Sequence, residues 1–100
     1  INQVDTSGFT PLIWAVNMGE IELIKQLLAA GANPNLQDET GQTALMKAVL
    51  QGNTEMTTLL LTKKNDLSLK DKTGKTALSL ATENSQGEII NLLKKAGAKN

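Results

Sequence analysis

Asp, Gly, Thr, Leu and Ala return together every 33 residues, and that return constrains the chain more than any other feature. The stretch "DTSGFTPLIWA" from Asp5 comes back as "DETGQTALMKA" from Asp38 and as "DKTGKTALSLA" from Asp71. The matched sets are Asp5/Asp38/Asp71, Gly8/Gly41/Gly74, Thr10/Thr43/Thr76, Leu12/Leu45/Leu78 and Ala15/Ala48/Ala81, with no insertion between copies. A period of this length belongs to stacked supersecondary units, each too small to bury a core by itself.

Within the first copy, Gly8 suits a turn with positive φ, Thr10 suits a helix N-cap, and Pro11 suits the first helical position, where its missing N–H costs nothing. The order predicts a helix beginning at Pro11, with Leu12, Ala15 and Val16 as a short apolar stripe and Gly19 as its end. Ile21, Leu23, Ile24, Leu27 and Leu28 form a second helical stripe, closed by Gly31 in the left-handed region. Helical period alone assigns Ile24, Leu27, Leu28 and Leu93 to the core. Helices of two or three turns are not stable in water alone, so neighbouring pairs must stack.

The order D-x-x-G-x-T-P-L-x-x-A, followed by G-x-x-E, an aliphatic pair, L-L and G-A-N-x-N, resembles the ankyrin repeat over the whole chain. The resemblance implies an all-α solenoid of stacked helix-turn-helix pairs joined by short β-turn or hairpin loops. Residues 5–37, 38–70 and 71–100 would be three repeats in a single domain, and residues 1–4 the tail of a preceding one, as in a segment of a longer array.

Departures from the motif carry their own expectations. The His that follows T-P-L in the family is Ile13, Met46 and Ser79 here, so its bond to the motif Thr should be missing. Lys64-Asn65 replaces Gly-Ala and Thr57 replaces an aliphatic, which makes residues 53–68 the expected loosest part. Ser85 stands where Gly19 and Gly52 stand, so the third helix-helix turn should be rearranged. Lys94 replaces Leu28 and Leu61, the substitution expected of an end repeat with a polar outer face.

Composition removes most chemistry. The chain of 100 residues has no Cys and no His, hence no thiolate, no imidazole base and no zinc site of the usual ligands. Its carboxylates sit at repeat-equivalent turn and helix-start positions, and "GQTALMKA" lacks the glycine spacing of a phosphate loop. No enzyme activity, cofactor or metal is expected. The 10 cations balance the 10 anions, and all are Lys; without Arg the bidentate fork for phosphates and guanine is unavailable, so no nucleic-acid partner is expected. No apolar run reaches the roughly 18 residues of a membrane span, so no membrane partner is expected either, and an intracellular, cytoplasmic monomer is.

With catalysis excluded, the resemblance implies a non-enzymatic module that binds a partner protein or peptide in a concave groove of turns and first helices. On this sequence the groove positions include Phe9, Trp14, Met18, Gln42, Leu50, Lys70, Lys72 and Lys75. Phe9, Met18 and Leu50 are apolar where the stack does not need them, whereas the three lysines gather near one turn, a pattern suited to a partner with apolar and then acidic side chains. Phe9 has an equal second reading, folded onto its own repeat; the lysines have one as a solvated edge, and Trp14 one as packing between repeats. The alternative function is a regulatory or spacer segment of a larger enzyme, channel or secreted effector, packed against its own chain.

Overall fold

The computed structural model describes residues 10–63 and 65–98. Six helices follow one another: α1 (Pro11–Met18), α2 (Ile21–Ala29), α3 (Ala44–Gln51), α4 (Thr54–Leu61), α5 (Ala77–Glu83) and α6 (Gly87–Lys95). There is no β-strand among the described residues. Each odd helix pairs with the next even one; α1, α3 and α5 stack as one layer and α2, α4 and α6 as the other.

The starts of the first helices follow from one residue type. Thr10, Thr43 and Thr76 are extended, and their hydroxyls accept from the backbone N–H of Ile13, Met46 and Ser79 at 3.1, 3.2 and 3.1 Å. Each satisfies a donor that a helix leaves orphaned at its first turn, a cap that stabilises by about 1 kcal/mol. Ser79 adds a correction, because its hydroxyl lies 3.1 Å from that of Thr76. In the third pair a serine therefore renews the side-chain link to the motif Thr whose loss was expected with the missing His.

The third helix-helix turn also departs from expectation, since it is not rearranged. Gly19 and Gly52 take φ of 71° and 66°, and Ser85 takes 55°. Gln86 donates to Ala81 O as Glu20 does to Ala15 O and Asn53 to Ala48 O. The packing of α5 against α6 imposes the turn, and Ser85 accepts the left-handed backbone at a cost on the order of 1 kcal/mol.

At the far end of α2, Gly31 donates to Leu28 O and Ala32 to Leu27 O, a Schellman closure repeated after α6 by Gly97 and Ala98. Behind α4 the side chain of Asn65 substitutes, its amide donating to Leu60 O at 2.8 Å and Lys63 O at 2.9 Å. Thr57 is fully buried, and its hydroxyl is satisfied by Asn53 O at 2.9 Å, so α4 keeps a regular course.

The core runs between the layers and contains Leu12, Val16, Ile24, Leu45, Val49, Met56, Leu60, Leu78, Ile89 and Leu93. Leu27, expected there, is only partly buried, and Leu23 is exposed. The face beyond α5 and α6 is polar. Thr82 is exposed where Val16 and Val49 are fully buried, and Lys94 is exposed where Leu28 is buried.

Candidate interaction surface

The open side of the first-helix layer carries the residues that the core leaves over. On α1 these are Trp14, Asn17 and Met18, on α3 Leu50 and Gln51, and at the end of α5 Glu83 with Asn84 behind it, all exposed. The Gln51 amide donates to Val16 O at 2.9 Å and fixes the last turn of α3 beside the last turn of α1. Met18 and Leu50 consequently lie on neighbouring helix ends, and both are exposed large apolar side chains.

The turns that border this face are held by buried carboxylates. Asp38 Oδ1 accepts from Thr40 N–H at 2.9 Å, Thr40 hydroxyl at 2.6 Å and Gln42 N–H at 3.0 Å. Its Oδ2 pairs with Lys47 Nζ at 2.8 Å, and both side chains are nearly out of solvent. Burial pushes the Asp38 carboxyl up, but the bonds from Lys47, Thr40 and Gln42 outweigh it and hold the pKa below the usual carboxylate value. Asp71 repeats the turn with Thr73 and Lys75 as donors and is likewise lowered against its burial, with the Gln42 side chain as a further donor.

Successive turns are bonded to each other. Gln37 Nε2 donates both to Gly41 O at 2.7 Å and to Lys70 O at 2.8 Å, and Lys72 N–H donates to Thr40 O at 2.9 Å. Gly41 lies at this contact with φ 81°; a Cβ there would stand 2.8 Å from Lys72 N and 2.9 Å from Asp71 Cα. Only glycine fits that approach.

The candidate binding residues therefore fall into three groups. Met18, Leu50 and the half-exposed Trp14 lie on the open side of the first helices, and Lys70 and Lys72 are exposed on the turn before α5. Gln42 and Lys75 already have intramolecular work, Gln42 at Asp71 and Lys75 in an ion pair with Glu83 at 2.9 Å. Phe9 lies outside the described residues. Sequence reasoning missed the Lys47–Asp38 pair and the bridging role of Gln37. The signal for the first was a lysine in a slot that holds Trp14 and Leu80 in the other copies.

Among the described residues no group of three potential ligands could hold a metal ion, and no helix is long and apolar enough to cross a membrane. The family model for ankyrin repeats (3 copies) matches residues 12–100. The human DNA-binding protein RFXANK is 53% identical over 36 residues, which are 36% of this chain and 14% of that protein. The bovine ankyrin repeat family A protein 2 is 50% identical over 36 residues, again 36% of this chain and 12% of that protein. The chain thus matches only a small part of the length of these relatives. Ankyrin repeats are generally non-enzymatic protein–protein interaction modules. The family match and three capped helix pairs recurring at 33-residue intervals agree, and the chain belongs to the ankyrin-repeat family.

Proposed function

We propose that the chain binds a partner protein or peptide through the turns and the open side of its first helices, with no catalytic activity of its own. The observation that carries this reading is the exposure of Met18 and Leu50 on adjoining helix ends, where the stack gains nothing from apolar side chains. Trp14 lies at the margin of that patch. Lys70 and Lys72 supply the polar contacts, because Lys75 and Gln42 are engaged internally. A protein partner is favoured over DNA despite the name of one relative, since the chain has no Arg and no net charge, and Lys47 and Lys75 are ion-paired.

The test is affinity capture followed by measurement of Kd with the identified partner. The double variant M18A/L50A is expected to weaken binding about tenfold or more while leaving Tm nearly unchanged. Equal affinity of the variant and the native chain would remove the patch from the interface. The alternative, a regulatory or spacer segment packed against its own larger chain, is supported by a different exposed residue, Leu23.

A further inference from the structure

The three methionines carry all the sulfur in this chain, which has no cysteine, and the fold treats them unequally. Met46 and Met56 are 2% and 0% exposed in the core, whereas Met18, the last residue of α1, is 68% exposed. A thioether on the surface meets a dissolved oxidant directly; one in the core meets it only when the fold opens. Met18 is therefore the sulfur that an oxidant reaches first.

Oxidation turns a methionine from a flexible apolar side chain into a polar one. Its effect on the fold depends on what the position requires, and the repeat supplies the answer at Met18. The equivalents of Met18 in the other two pairs are Gln51 and Asn84, both exposed and both carrying an amide oxygen. A polar oxygen at the end of a first helix is thus compatible with the stack. The turn that follows Met18 is held by the backbone, with Gly19 N–H donating to Val16 O at 3.1 Å and Glu20 N–H to Ala15 O at 3.0 Å. At Met46 and Met56, by contrast, a sulfoxide would set an S–O dipole in the core. What oxidation of Met18 alters is the apolar surface it shares with Leu50 on the adjoining helix end.

We propose that Met18 is an oxidation site that switches partner binding, its thioether being converted by hydrogen peroxide to the sulfoxide without loss of the fold. The sulfur lone pair attacks one peroxide oxygen, and the S–O bond forms as the O–O bond breaks. The displaced hydroxide takes the proton of the transferred hydroxyl and leaves as water. Sulfur gives up two electrons and the peroxide takes them. A thiol-dependent sulfoxide reductase returns the thioether, with a disulfide and water as the other products. This inference rests on the placement of Met18 in the partner interface, where a bound partner would cover the sulfur and slow its oxidation.

Peroxide treatment of the native polypeptide followed by cleavage after lysine tests the chemistry. Lys25 and Lys47 separate Met18, Met46 and Met56 into different peptides, whose masses report each site. The Met18 peptide is expected to gain one oxygen about tenfold faster than the other two, with Tm unchanged. The oxidised protein is expected to bind the captured partner about fivefold or more weakly and to regain its affinity on treatment with the reductase. Met18→Leu keeps the apolar surface without the sulfur, and should bind normally before and after peroxide. Met18→Gln, which copies the side chain of Gln51, should bind as weakly as the oxidised protein. Equal oxidation rates at the three methionines, or a fall in Tm when Met18 alone is oxidised, overturns the proposal. Full affinity of the oxidised protein beside a weakened M18A/L50A overturns this proposal alone; equal affinity of M18A/L50A and the native chain overturns the interface reading with it.

Discussion

Leu23 and Lys94 stand at opposite ends of the stack, and each occupies a position that is apolar and buried elsewhere in the molecule. Toward α1 and α2 the side chains keep the apolar character of an interior interface while remaining exposed. Toward α5 and α6, Thr82 and Lys94 replace Val49 and Leu61. An interior interface constrains both of its faces, whereas a solvated face is free to become polar. The first end has kept apolar side chains where the last end has become polar.

The largest expected effect separates the inside of the stack from its outside through two glycines. Gly41→Ala drives a Cβ into the backbone of Asp71 and Lys72 and should cost about 4 kcal/mol in urea unfolding. Gly74→Ala meets nothing within 4 Å and should cost only the left-handed backbone, about 1 kcal/mol. Equal losses would show that the contact between turns contributes little.

Next comes the slot shared by Leu23 and Met56. Met56→Ala should lower stability by about 3 kcal/mol in the 100-residue chain, and Leu23→Ala by less than about 1 kcal/mol, both read from denaturant midpoints.

The third comparison lies along the slot of Trp14, Lys47 and Leu80. Lys47→Met leaves Asp38 Oδ2 without its partner and should cost about 2 kcal/mol at neutral pH. Asp38 and Asp71 both titrate below the ordinary carboxylate value of about 4, so the stability they add is complete above that value and is lost as pH falls through their lower folded pKa values. Removing Lys47 should raise the Asp38 pKa and move the acid limb of the unfolding curve to higher pH; an unmoved limb would exclude the pair as its origin. The smallest effect is a gain. Ser85→Gly should raise stability by about 1 kcal/mol, because the third turn keeps the geometry of Gly19 and Gly52.

Much of the fold was legible because its determinants are local. The Thr caps, Pro11 at the start of α1, and Gly19 and Gly31 at helix ends act within a few residues of themselves. The third turn was misjudged for the opposite reason: Ser85 alone argues against a left-handed backbone, and the packing of α5 against α6 overrules it. Leu27 was assigned to the core from its period, yet full burial depends on a neighbour that the period does not specify. Of the candidate surface, Met18 and Leu50 were legible as apolar residues off the core stripe. The engagements of Gln37, Gln42, Lys47 and Lys75 were not, because their partners are 8 or more residues away or across two turns and meet only in the fold.

Three of the side-chain bonds that join one helix pair to the next span 31, 33 and 35 residues, from Asp66 to Asn35, Gln37 to Lys70 and Gln51 to Val16. Lengthening such a gene by copying a 33-residue block would restore every one of these pairings in the new unit, whereas inserting a single codon within a block would put them out of step. The molecule is thus tolerant of growth by whole units and intolerant of drift inside them.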